Sequence, residues 1–283
     1  ACTVHPEGRG VGTYRQADSP PLSSRPFYFT MNASLDALFM YLSTEDEDHS
    51  SPSSSKKCET IIAVGGVHAL VLLLDKFLAL AVAKFKPFKS ASTTGMDSNI
   101  QIPPDQVTLV DGVIELETLD RTLDVIINLT FQNETSRSSI SAIGGVEVIV
   151  KVMKTLPKCR QLQWSACHAL RNLTMMAYSG NSCNMNIGKK RLLQEEGIQL
   201  LLATVNKHLD SSSVCETALG ALENIIVTGS YQESIQCFIR EGGGATLAIV
   251  REEWPYDDDV QLLVRTLAKF VVDEMKAWAE EVE

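Results

Sequence analysis

Two short signatures recur along this chain at a fixed separation, and that recurrence constrains the fold more than any single motif. The first is a glycine signature: AVGGVHALVLLL at 63–74, AIGGVEVIVKVM at 142–153, EEGIQLLLATV at 195–205 and REGGGATLAIV at 240–250. The second reads VIINLT at 125–130, ALRNLT at 169–174 and ALENII at 221–226. Gly145 to Asn172 is 27 residues, as is Gly197 to Asn224; Gly242 to Lys269 is also 27, with the Asn replaced. A period of this size is the mark of a stacked repeat, in which one supersecondary unit recurs and covers its neighbour.

The apolar residues define the unit. Leu162, Ala166, Ala169, Leu170 and Leu173 become Val214, Ala218, Ala221, Leu222 and Ile225 after a shift of 52. A shift of 45 then gives Leu263, Leu267 and Phe270, and going back 44 gives Val125, Ile126 and Leu129. Spacings of i, i+4, i+7, i+8 and i+11 form one face of a helix, and strand alternation is nearly absent. Each unit therefore reads as a short helix, a turn at glycine where left-handed backbone costs least, an apolar second helix and a longer third helix. The expected class is all-α, a right-handed α-solenoid superhelix of about four three-helix repeats.

The pattern aGGVxxLVxLL … A-xx-ALxNL resembles the armadillo repeat, as in β-catenin and importin-α. The resemblance covers about residues 57–280. The expected organisation is a disordered arm over 1–30, a short helix within 31–56 (about 32–42) followed by a serine-rich loop over 50–57, and an armadillo-repeat domain over 57–283. Its repeats run 57–131, 132–175, 187–228 and 231–283. The first departs from the pattern: Gly66 to Asn128 is 62 residues, which implies an inserted loop over 86–112. The last helix, about 260–279, has Leu263, Leu267, Phe270 and Val271 with no following repeat in the sequence to cover one side.

Composition narrows the function. The chain has 283 residues, 45% hydrophobic and 21% charged, ordinary for a globular protein. A formal charge of −10 counts against nucleic acid, whose phosphates demand a basic face, and against polybasic membrane docking. The apolar run at 68–83 carries Asp75 and Lys76 and reads as a core helix, so no membrane partner is expected. Seven cysteines form no CxxC pair, which suits buried thiols in a reducing cytoplasmic or nuclear setting. The start at Ala1, without an apolar leader, suggests a fragment or processed product. The four sequons read as chance, since two lie inside helical patterns.

No nucleophile elbow, zinc-helix, P-loop or dinucleotide motif occurs, so neither catalysis nor a cofactor or metal is expected. Cys167 and His168 are adjacent on a helix and diverge by about 100°, too far to act as a pair. Gly242–Gly244 reads as a turn, and Asp257–Asp259 as a helix start.

The resemblance implies a concave groove lined by third helices, in which Asn128, Asn172 and Asn224 hold the backbone of an extended peptide from another protein. One turn earlier lie Asp124, His168, Gly220 and Arg265. A further turn back lie Asp120 or Arg121, Trp164 or Ser165, Glu216 or Thr217, and Gln261. Trp164 is the best aromatic anchor, or a core residue. Importin-α carries Trp four residues before each groove Asn, where this chain has Asp124, His168 and Gly220; recognition of lysine-rich signals is not implied. Two readings of the Asn row stay open: peptide capture, or bonding that holds the stack. Beyond the expected scaffold, the alternatives are a structural subunit of a larger assembly and a targeting module of a larger enzyme, such as a ubiquitin ligase.

Overall fold

The computed structural model describes residues 25–43, 54–85, 114–175, 186–226 and 232–282, and within them the protein is all-α, thirteen helices without a strand. After α1 (Arg25–Ser43) the helices come in threes: α2 (Ser54–Ala63), α3 (Gly66–Phe85) and α4 (Ile114–Thr130); then α5 (Glu134–Ala142), α6 (Gly145–Thr155) and α7 (Arg160–Thr174). They continue with α8 (Ile187–Gln194), α9 (Gly197–Lys207) and α10 (Ser212–Ile226), then α11 (Gln232–Arg240), α12 (Gly243–Glu253) and α13 (Asp258–Val282).

The turn between first and second helices is left-handed in every unit: Gly65 has φ 78°, Gly144 92° and Gly242 83°. The third unit places Glu196 there instead, at φ 59°, a conformation that strains any residue with a Cβ. The following glycine has a separate reason. A Cβ on Gly145 would lie 2.4 Å from Ile140 Cγ2 and 2.8 Å from the Ile140 carbonyl oxygen, so only a bare backbone passes.

Third helices pack in sequence, α4 on α7, α7 on α10 and α10 on α13, while α2 meets α5 and α5 meets α8. The periodic stripe forms the core: Leu162, Ala166, Ala169, Leu170, Leu173, Val214, Ala218, Ala221, Leu222 and Ile225 are all buried. Val125, Ile126, Leu129 and Leu267 join them, with Phe270 packed against the edge. The buried residues form one connected cluster from Leu35 in α1 to Leu267 in α13, so burial runs the length of the stack. Small Ala at the stripe's centre suits the close approach of α7 and α10.

Some boundaries differ from the sequence reading. The first helix begins at Arg25 and not near residue 32, with Pro26 in the first turn, where a missing N–H costs little. It also packs on α4, where Asn128 reaches its Ser43 as Asn172 one unit on reaches α4. Helix α2 starts at Ser54, inside the expected serine-rich loop, and buries Lys57 and Cys58; positions 50–53 of that loop lie outside the described residues. The last helix runs from Asp258 to Val282, and Asp257 Oδ1 accepts from the Val260 N–H at 3.1 Å to cap it. Residues 1–24, the expected loop over 86–112 and most of the delay before the third unit lie outside the described residues.

Helix α3, 20 residues, is the one among the described residues long and apolar enough to cross a membrane by length and composition. Here Leu74, Phe77, Leu78 and Ala81 are buried, and Asp75 accepts from Lys151 Nζ of α6 at 2.6 Å.

Candidate functional site

The residues singled out by the repeat lie on the third helices and divide by what they bond. Asn172 is 4% exposed, and its Nδ2 donates to the Ile127 carbonyl at 3.1 Å and to Thr130 Oγ1 at 3.4 Å. Asn224 repeats this one unit on: Nδ2 donates to the Arg171 carbonyl at 2.8 Å and to Thr174 Oγ1 at 3.4 Å. In both units the acceptors are the residue before the preceding unit's Asn and the Thr two after it. These amides add a bond from the next unit to carbonyls in the last turn of the previous third helix. Asn128 has the same neighbourhood with a weaker bond, Nδ2 to Ser43 Oγ of α1 at 3.4 Å. Of the two readings of the Asn row, the hydrogen bonds match the stack-holding one, and each bonded Nδ2 is committed before any ligand arrives.

The turn before the Asn row is more open. Asp120 accepts from Ser165 Oγ at 2.6 Å and from Gln161 Nε2 at 3.5 Å, so α4 and α7 are joined on this face. Burial raises its carboxyl above the usual range, opposed by those two bonds and by Arg121. Arg121 itself donates to Asp36 of α1. One turn on, Asp124 is half-buried and its carboxyl is pushed up to about 7. Burial is the main cause; the Asp120 and Asp36 charges add to it and Arg121 opposes it.

On α7 the half-buried Trp164 and His168 meet edge to face, ring centroids 5.6 Å apart and 67° between planes. His168 Nδ1 is buried without a hydrogen-bond partner. Burial lowers its basicity, Arg171 lowers it further and Glu216 opposes. Arg171 bridges to α10, donating to Glu216 at 3.0 Å. Its side chain lies across Gly220, where a Cβ would stand 2.5 Å from Arg171 Nε. Glu223 is half-buried with a carboxyl raised by burial and eased by Arg171. Arg265 is exposed on α13. Of the candidates, Trp164 and His168 are brought together on α7, Asp124 lies on the neighbouring α4 close to Asp120, Arg121 and Asp36, and Arg265 stands apart on α13.

Arg171, Asp36 and Glu223 escaped the sequence reading. Arg171 falls off the i, i+4 row of the Asn face and is revealed only by its reach to the next helix. The Thr of Asn-Leu-Thr was the signal for the stack: its recurrence two residues after the Asn marks the acceptor for the next unit's amide.

Cys167 is buried and burial raises its thiol, which disfavours the thiolate form. Among the described residues no group of three or more His, Cys, Asp or Glu could hold a metal ion. Gln261 donates to the Arg251 and Trp254 carbonyls at 3.1 and 2.9 Å and so ties α13 to the end of α12. A separate open cleft of about 410 Å³ lies between α8, α9 and α11, lined by Lys190, Leu193, Ile198, Gln199, Glu233 and Cys237.

No protein-family model matches the chain, and no curated protein matches it. Two solved structures of engineered proteins are similar to it. One is 17% identical at a TM-score of 0.45, over 85% of this chain and 97% of that one. The other is 20% identical at a TM-score of 0.47, over 84% of this chain and 58% of that one.

Proposed function

We propose that the chain is an armadillo-type, right-handed α-solenoid and acts as a non-catalytic scaffold, binding an extended segment of a partner protein along its third helices. The repeated unit and its two signatures support the fold. The observation that carries the function is the half-buried Trp164–His168 pair on α7, with the buried His168 Nδ1 unbonded, next to an α4 whose Asp120 bonds Ser165 and whose Asp124 is half-buried. Desolvated polar groups next to an aromatic ring gain from a partner that bonds them.

The reading places recognition on side chains more than on the amide ladder, because Asn172 and Asn224 are spoken for by the stack. Asp124 suits a donor or cationic side chain, and Trp164 an apolar or planar one. Cofactors and metals have no part in it. The five free cysteines among the described residues fit a reducing cytoplasmic or nuclear setting.

A structural role in a larger assembly is the second reading. It is favoured by α13, whose Leu262, Val272 and Met275 are 57%, 48% and 55% exposed.

Selection of peptides from a random library on the purified chain tests the proposal. Selected peptides should bind Trp164→Ala about tenfold more weakly, near 1.4 kcal/mol, and Asp124→Asn more weakly too. Failure to select any peptide, or peptides indifferent to both substitutions, would overturn it.

A further inference from the structure

The contact between α1 and α4 carries one carboxylate from α1 into a cluster that α4 already fills. Asp36 accepts from Arg121, the cation nearest this cluster. Asp120 is held by its bonds from Ser165 and Gln161 of α7. Asp124, one turn after Asp120, feels the charges of both other acids as well as that of Arg121. Two further ties of α1 to α4 are neutral: Thr118 Oγ1 donates to Asn32 Oδ1 at 2.9 Å, both buried, and Asn128 reaches Ser43; toward α2, Lys57 Nζ lies 5.1 Å over the Tyr41 ring.

Other charges are remote from Asp124. From α3, Lys84 bonds Glu115 at 3.0 Å, about 14 Å down the axis of α4 by helical rise. From α5, Arg137 donates to the Thr130 carbonyl, about 9 Å up the axis. From α7 the titratable group at the matching repeat position is His168, itself weakened as a base by burial and by Arg171.

We propose that α1 is a proton-linked cap on α4: protonation of Asp124 favours its docking, and ionisation of Asp124 loosens it. The cause is reciprocal. Asp124 lies on α4 between Arg121, which bonds Asp36, and Asn128, which bonds Ser43; docking α1 over this stretch takes water from it and brings the Asp36 charge to it, and both disfavour the ionised form. By linkage the ionised form must then disfavour docking by the same factor. The carboxyl, raised to about 7 in the docked state, places the transition near neutrality. Release of α1 uncovers the side of α4 that α7 does not cover, at the edge of the third-helix face.

Hydrogen exchange on the full chain tests this, with rates corrected for the intrinsic effect of pH. The opening constant of residues 25–43 should rise between pH 5.5 and 8.5, by roughly tenfold for each unit by which docking raises the Asp124 pKa. The same constant in α9 should stay flat. In Asp124→Asn the rise should vanish, with α1 protected at both ends of the range. In Asp36→Asn, which keeps α1 but removes its charge, the Asp124 carboxyl followed by NMR should titrate at lower pH. An opening constant independent of pH in the wild type, a rise that survives Asp124→Asn, or an unmoved Asp124 titration in Asp36→Asn would each overturn the proposal.

Discussion

The α7–α10 junction and the α1–α4 junction use the same device with different completeness. At α7–α10, Asn224 reaches a main-chain carbonyl at 2.8 Å and Arg171 pairs with Glu216. At α1–α4 the corresponding amide finds only a serine hydroxyl at 3.4 Å, and the charged pair Arg121–Asp36 stands near two further acids, Asp120 and Asp124. The difference teaches that the repeat signature encodes bonds between successive third helices as much as it encodes the helices. A helix that enters the stack without the signature is held chiefly by apolar contact, here through Leu35, Tyr28, Leu38 and Leu42.

The largest expected effect separates the two junctions directly. Asn172→Ala should cost about 1–2 kcal/mol in urea unfolding, since it strips a nearly buried bonded amide from the end of α4. The Ile127 carbonyl keeps its bond from Phe131 N at 3.0 Å, which holds the loss below the full burial penalty. Asn128→Ala should cost about 0.5 kcal/mol or less, because its contact is long and exposed. Equal losses would break the comparison.

A second test uses the turns. Gly144→Ala should cost about 1–2 kcal/mol, and Glu196→Gly should return up to about 1 kcal/mol, because the same left-handed backbone is native to one residue and strained for the other. Thermal melts of the two variants should therefore move in opposite directions.

These tests bear on what could be read from the residues. The units, their turns and the buried stripe were legible because period and burial are tied: a stripe that repeats must face a neighbour that repeats. The role of α1 was not, since neither recurring signature marks it in the sequence. The orientation of Asn172 was not legible either. Its place at the edge of the stripe allows the amide to face solvent or the next helix, and only the packed distance to Ile127 decides. Asp124 was marked from its place one turn before Asn128, but its burial was not legible, because the sequence did not dock α1 on α4.

The N-terminal junction should also respond to pH. The folded Asp124 carboxyl titrates at about 7, above its usual value near 3.9 in an unfolded chain. A raised carboxyl favours the folded state while protonated, so its contribution is full below about pH 4 and is lost as pH rises through 7. Asp124→Asn should raise the stability at pH 8 by about 1 kcal/mol, after allowance for solvent at a half-exposed site, and by much less at pH 4. Melting curves of both proteins across this range check it; a benefit largest at low pH would contradict the assignment.

The smallest effect comes from the better-made junction, and there two terms oppose. In Gly220→Ala the new Cβ meets Arg171 Nε at 2.5 Å and Cζ at 2.8 Å, atoms at the far end of a flexible side chain. Arg171 can swing aside, at the cost of its half-exposed pair with Glu216, worth a few tenths of a kcal/mol. Against that, Ala inside a helix gains about 0.5–1 kcal/mol over Gly. The two nearly cancel, so the unfolding midpoint should move little and in the stabilising direction. Electrostatics should still report the displacement, because Arg171 is one cause of the weakened His168 base. With the guanidinium moved away, the His168 imidazole should titrate at higher pH by NMR while stability barely changes. A clear loss of stability would mean instead that the Arg171 arm cannot yield, and that the α7–α10 junction is more rigid than an exposed ion pair requires.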